Sequence, residues 1–239
     1  MNIALSNGET VPVDVRRRRG ARYLRLRLGH ANQVLLSAPW HCPGKEIARF
    51  LRQNRHWVET HLASAPEPRT LGEWLALHPQ LTGSGDIFSV RLEWVVGGRS
   101  RYFFERGGSV IVLRVSPGEA GSEGSLLRLV RGFARDVLHC RVAYHAQRLG
   151  LRYDKISVRD QSGRWGSCSS EGGISLNWRL VLLSPPLQDY IILHELAHLS
   201  EPNHSPRFWK LLEQYDEARK LHEAELETLA PEIMRVGRA

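Results

Sequence analysis

Residues 184–204 read SPPLQDYIILHELAHLSEPNH, and this stretch decides the fold of the C-terminal half. Ser184 is a good N-cap and Pro185 fits the first helical position, so a helix is expected to open here. It runs to about Ser200, where Glu201-Pro202-Asn203 breaks it. Inside it His194 and His198 are four apart and share one face, one turn from each other. Ile192, Leu196 and Leu199 fall on another face and suit a core. Both imidazoles can therefore reach one metal ion, and Glu195 is placed as general base towards a metal-bound water.

A third ligand follows from the chain's next turn. Pro202 takes the chain out of the helix and Ser205-Pro206 restarts one, so His204 sits where the chain folds back. Three protein ligands with a water in the fourth position is the layout of a catalytic zinc site. Three imidazoles favour one Zn2+ ion or another late first-row metal, and zinc brings the pKa of its water to about 7. The spacing equals that of H-E-x-x-H-x-x-G-x-x-H, but Glu201 stands where those enzymes have glycine, so the chain is not assigned to them. Glu213 and Glu217 on the next helix are rival third ligands. A bare H-E-x-x-H arises by chance, but three histidines and a glutamate within residues 194–204 are hard to read as ordinary polar residues on a partly buried helix.

Working outward, Ile156–Arg159 and Gly173–Leu180 read as strands flanking a turn at Gln161-Ser162-Gly163. On the second, Ile174, Leu176 and Trp178 alternate with Ser175, Asn177 and Arg179. Residues 125–149 read as a long helix ending at Gly150, after a loop at Pro117–Gly124. Downstream, Phe208, Trp209, Leu211, Leu212 and Tyr215 form the apolar face of the helix opened by Ser205-Pro206.

The N-terminal part is β-rich. Val11–Arg18, Tyr23–Leu28 and Gln33–Ala38 are candidate strands, with a hairpin signal at Asn7-Gly8. Pro43-Gly44 opens one helical pattern that runs to about Leu62. Residues 64–85 are rich in Pro, Gly and Ser and read as a linker with a helical turn near Leu71–Leu77. Ile87–Val96, Arg101–Glu105 and Ser109–Val115 form a second β-rich segment, broken by Gly97-Gly98 and Gly107-Gly108. The two β-rich segments are only vaguely similar in sequence. The expected class is α+β, with a basic β-rich region over 1–80 and a second domain over 81–239.

Charge is distributed unevenly. Residues 1–70 hold 12 Lys+Arg against 5 Asp+Glu, which is nearly all of the net charge of +8. Such a region suits nucleic acid, an anionic substrate or an acidic partner surface, or is simply a solvated face. After Arg16-Arg17-Arg18-Arg19, the run Leu24-Arg25-Leu26-Arg27-Leu28 puts arginines on one side of a strand and leucines on the other. No run of about 18 apolar residues is present, so no membrane span is expected. No secretory leader is expected either, because Met1–Thr10 has no basic stretch followed by an apolar one. Cys42, Cys140 and Cys168 are odd in number and scattered, which argues against a disulfide framework and for a reduced, cytoplasmic setting.

Three ordered segments carry a resemblance. They are Arg164-Trp165-Gly166-Ser167-Cys168-Ser169, Leu176-Asn177-Trp178-Arg179-Leu180, and His194-Glu195-Leu196-Ala197-His198-Leu199 followed by Asn203-His204-Ser205-Pro206-Arg207-Phe208-Trp209. Together they resemble the YgjP-like metallopeptidase family, within the WLM/SprT-like zincins. The likeness is strong over about 125–215 and looser before it. It implies a zincin-like domain with a small sheet and an H-E-x-x-H helix, zinc ligands at His194, His198 and His204, and Glu195 as the catalytic residue. It also implies that Trp165–Cys168 and Asn177–Arg179 border the site. Arg164, Trp165, Asn177 and Arg179 are thus the candidate substrate-binding residues. A strand at Ile174–Leu180, or its partner Arg164–Ser169, would pair with an extended peptide. Trp165, Trp178 and Trp209 are expected in the core and Cys168 as a buried thiol. Arg164 and Arg179 serve either substrate or structural pairing.

The leading expectation is a zinc-dependent peptidase acting on a peptide or protein. Two others stand beside it. One is hydrolysis of a nucleotide phosphoanhydride, with arginines gripping phosphate. The other is a nucleic-acid-associated protein with a structural metal.

Overall fold

A computed structural model describes residues 1–29, 31–117 and 121–239. The chain divides into two compact units, Met1–Pro68 with Arg238–Ala239, and Arg69–Gly237. The division thus falls ahead of the short helix at Leu71–Leu77, which joins the second unit, and not near residue 80. Among the described residues no helix is long and apolar enough to cross a membrane.

The first unit contains β1 (Asn2–Ala4), β2 (Thr10–Arg18), β3 (Arg25–Leu28), β4 (Val34–Pro39), α1 (Gly44–Gln53) and α2 (Arg55–Ser64). The strand order is β1-β2-β4-β3, with β2 and β4 parallel and the outer pairs antiparallel. Gly8, at φ +87°, makes the β1–β2 turn. The single helix expected over 43–62 is two, because Asn54 leaves helical geometry at φ −103°, ψ 18°. Its side-chain amide donates to the Phe50 carbonyl at 2.9 Å, the local competition that asparagine offers a helix. Ile3, Val13, Val34, Leu36 and Ala38 pack against Ile47, Leu51 and Val58 of the helices.

The second unit contains α3 (Leu71–Leu77), β5 (Gln80–Gly83), β6 (Asp86–Trp94), β7 (Arg101–Phe104), β8 (Val110–Val115), α4 (Gly121–Leu149), β9 (Lys155–Arg159), β10 (Gly166–Cys168), β11 (Gly173–Asn177), α5 (Pro185–Ala197), α6 (Pro206–Tyr215) and α7 (Arg219–Ile233). A 3-10 turn over Trp178–Leu182 joins β11 to α5. Of the loop expected at Pro117–Gly124, residues 118–120 lie outside the described residues, and α4 already begins at Gly121. A Thr70–Glu73 capping box and the carboxylate of Glu123 satisfy the first N–H groups of α3. The linker expected over 64–85 therefore holds both a capped helix and strand β5.

The two β-rich segments share one plan. The second sheet runs β5-β6-β8-β7, with β6 and β8 parallel and the outer pairs antiparallel, as in the first. Both central pairs carry six residues in register, Val13–Arg18 with Val34–Pro39 and Ser89–Trp94 with Val110–Val115. The two sheets nevertheless bury opposite faces. In register, Arg16 corresponds to Leu92, Arg25 to Tyr102 and Arg27 to Phe104. The second sheet turns that face, with Ile111, Leu113 and Val115, onto α4, where Tyr102 meets Phe133 edge to face. The first sheet turns it to solvent and packs its helices on the other side.

The C-terminal sheet has the order β10-β11-β9, with β11 parallel to β9 and antiparallel to β10. The strand expected over 173–180 stops at Asn177, whose side chain accepts from the Arg179 N–H and starts the 3-10 turn. Trp178, Arg179 and Leu180 therefore leave the alternation and are all buried. Helix α5 is buried along most of its length, as its Leu, Ile and Tyr content requires, and lies beside β10.

Candidate metal centre

His194 lies in the last turn of α5, His198 caps it, and His204 is in the turn before α6. Pro185 and Pro206 sit at the first positions of the two helices. Ser205 Oγ accepts from the Phe208 N–H and fixes the start of α6. The three histidines each bring one ring nitrogen to within 4.8 Å of the others, and His194 Nε2 is 2.9 Å from His204 Nε2.

Ring orientation is imposed by neighbours. His198 Nδ1 lies 3.1 Å from the Glu201 carbonyl, so it donates there and leaves Nε2 as a free lone pair. Phe208, fully buried, stacks on His198 at 4.5 Å. Trp209 stacks on His204 at 5.5 Å and receives Arg219 over its ring at 4.8 Å. Trp209 thus does more than fill the core. Burial, then the neighbouring histidines, brings His194 down to about 4, and burial also lowers His198. Neutral imidazoles are the form that binds a divalent cation. Glu213, one rival ligand, is ion-paired with Arg219 at 2.9 Å, and Glu217 is exposed outside the cluster.

Glu195 is 6% exposed, and its Oε2 has no hydrogen-bond partner among the described residues. Burial pushes its carboxyl up to about 8, against a smaller downward pull from Arg164. A buried carboxylate oxygen with no partner among the described residues, next to three converging imidazoles, fits a site built for a cation and a water.

Beside Glu195 runs β10, an edge strand of its sheet. A Cβ at Gly166 would stand 2.5 Å from Glu195 Oε1, so only glycine lets the strand pass this close. Cys168, half-buried on the same strand, has its thiol pushed up by burial and then by the Glu195 charge.

A cavity of about 290 Å³ opens next to His194 and Glu195. Arg164, Trp165 and Gly166 form one wall, Tyr190 and Ile191 of α5 another, and Glu223, Leu226 and Glu227 of α7 the third. On α7 these last three are spaced i, i+3, i+4, so one helix face supplies an apolar floor and two acids.

Of the four candidate substrate-binding residues, Arg164 and Trp165 line this cavity. Asn177 and Arg179 are fully buried and do not. Asn177 donates to the Gln161 and Arg164 carbonyls at 3.0 and 3.1 Å and so pins the segment that presents Arg164. Arg179 donates to the Val236 carbonyl at 2.8 Å and pairs with Asp160 at 2.7 Å, with its guanidinium over Trp178. Both act on the architecture behind the site. Gly166 falls inside the Trp165–Cys168 segment expected to border the site, whereas Tyr190, Glu223 and Glu227 carry no local sequence signal of their place.

The family model described as "YgjP-like, metallopeptidase domain" matches residues 22–229. Among curated proteins none matches. Among solved structures, the crystal structure of the metallopeptidase zymogen of Pyrococcus abyssi abylysin is 25% identical over 40% of this chain and 96% of that one, with a TM-score of 0.36.

Proposed function

Because the chain belongs to the YgjP-like metallopeptidase family, a hydrolase of metallopeptidase type, we propose that it is a zinc-dependent peptidase with Glu195 as general base. The observation that carries this is the meeting of three converging imidazoles with a buried carboxylate oxygen, unpartnered among the described residues, beside a sheet edge.

His194, His198 and His204 would hold one ion, which when bound supplies a Lewis acid for water and carbonyl. The protein's own part is positional and protonic. Glu195 takes a proton from the attacking water and returns it to the departing amine nitrogen. Its burial gives it the proton affinity to hold that proton between the two steps, and a bound cation would draw its pKa down again. An extended peptide would lie along the free edge of β10, with one side chain in the adjoining cavity. Arg164, exposed near Glu195, is the candidate for steadying the carbonyl oxygen or a substrate carboxylate.

The phosphoanhydride reading gains less support. Arg179 is buried and occupied, and Glu223 and Glu227 would repel a triphosphate from the cavity that Arg164 shares. A test is to offer the zinc-loaded chain a mixed peptide pool and nucleoside triphosphates, with Glu195→Gln as control. New peptide termini by mass spectrometry, lost in Glu195→Gln, are expected. Phosphate release without peptide cleavage would overturn the reading.

A further inference from the structure

The exposed face of the first sheet is a built arginine surface. Arg16 and Arg25 lie opposite each other across Ser37, Arg27 is beside Leu35, and Arg18 is beside Pro39. The four arginines, with Leu35 and Ser37, line a cavity of about 200 Å³. Leu35 is only 6% exposed although it sits on the solvent side, as expected where arginine stems cover it. Asp14 is on the same face and pairs with Arg16 at 2.9 Å. Arg18, Arg25 and Arg27 have no ion pair among the described residues. The corresponding face of the second sheet is apolar and closed by α4. The strand plan therefore does not oblige this face to be bare or basic.

Two exposed aromatic residues lie in the chain next to the arginine-bearing strands, at one end of the sheet. Trp40 follows Pro39, the register partner of Arg18, and Tyr23 comes two residues before Arg25. They are 59% and 80% exposed, unusual for rings of this size. Arg17 donates to the Trp40 and Cys42 carbonyls at 3.0 and 2.6 Å and fixes the backbone there. Arg19 lies 5.8 Å from the Trp40 ring.

We propose that this face binds the phosphate backbone of single-stranded nucleic acid, with Tyr23 and Trp40 stacking on its bases. Planar guanidinium forks match phosphate oxygens in pairs, and a row of them tracks a polyanion. Open aromatic faces beside a basic groove are the second element of a single-strand site, since every base offers a π-face. An acidic protein surface would use the arginines but leave the rings idle. The inference does not depend on peptidase activity.

The test uses the full chain and fluorescein-labelled dT20 and rU20, with binding read by anisotropy from 50 to 300 mM salt. Micromolar binding is expected, with log K falling against log salt at about −0.7 per phosphate neutralised, or roughly −2 to −3 in total. Arg25→Gln with Arg27→Gln should flatten that slope by about 1.4, while Arg25→Lys with Arg27→Lys should largely keep it. Trp40→Ala and Tyr23→Ala should each weaken binding by about fivefold or more at unchanged slope. Melting curves verify that each variant is folded. No binding at 50 mM salt overturns the proposal, as does binding untouched by the arginine variants. Equal or tighter binding of blunt duplex, polyglutamate or phosphatidylserine vesicles through the same arginines would also overturn it, in favour of a duplex, an acidic protein or a membrane surface.

Discussion

Gly166 and Glu195 share space that no side chain but hydrogen can leave free, since a Cβ on Gly166 would lie 2.5 Å from Oε1 and 2.6 Å from Cγ of the glutamate. Gly166→Ala must therefore push the carboxylate aside. A misplacement of about 1 Å costs on the order of 10²-fold in rate, so kcat/KM should fall by about that factor. Bound metal, measured by atomic emission, should stay at the wild-type level because the histidines are untouched. Loss of metal together with activity would refute this role.

Metal removal should loosen the second unit. Three imidazoles that gather within 4.8 Å stabilise the fold only when something shares their lone pairs. At a hundredfold excess of zinc over its Kd, the gain is about 2.7 kcal/mol, or roughly 5–10 °C in Tm. Scanning calorimetry of chelated and reloaded protein reads this. His204→Ala should abolish the shift, and Glu195→Gln should keep it. A shift preserved in His204→Ala would disprove the third ligand.

Asp189 ties α5 to α4 by accepting from Arg141 Nε at 2.7 Å and lying 3.0 Å from His145 Nε2. Burial raises the Asp189 carboxyl, but the hydrogen bonds from Arg141 and His145 outweigh it, and the net shift is downward from 3.8. A carboxyl whose folded pKa is depressed stabilises the protein fully above its unfolded pKa and loses this as pH falls through the folded one. Asp189→Asn should cost about 1–3 kcal/mol near neutral pH. In urea titrations, the gap from wild type should be flat above about pH 5 and shrink as pH drops below 4. A gap that widens in acid would contradict this account.

The acids on α7 should set side-chain preference. Tyr190, Ile191 and Leu226 can line an aliphatic stem, while Glu223 and Glu227 meet a cationic end. Glu223 already pairs with Arg219 at 3.0 Å, so Glu227, with no ion pair among the described residues, is the cleaner probe. Peptides with Lys or Arg beside the cleaved bond should be favoured over their Glu counterparts by about two- to fivefold in kcat/KM per carboxylate. Glu227→Lys should reverse the order. Indifference to charge in both proteins would remove α7 from substrate selection.

Much of this site was legible because it is local. Two histidines four apart, a proline start on each side and a proline break between them require only helical geometry, although Ser184, unlike Ser205, makes no side-chain cap bond. The boundaries of β11 and of α1 and α2 were not legible, because Asn177 and Asn54 end regular structure with hydrogen bonds that periodicity does not register. Asn177 and Arg179, expected at the border of the site with structural pairing the alternative for Arg179, are fully buried, since neighbours remote in sequence, Asp160 and Val236 among them, decide their surroundings. Glu223 and Glu227 come to the site from a helix that follows the last motif, and only tertiary packing puts them there.

The twin strand plans carry a lesson for protein engineering. One topology, with one register, hosts a greasy interior on the same side where its sibling hosts a wet cationic platform. What differs is the phase of an alternating pattern, so wet and dry sides can be exchanged by a one-residue offset in composition while every strand keeps its partner. A designer could use the second sheet as a template for turning the first inside out, provided the helices that cover its apolar side are moved to the opposite face with the pattern.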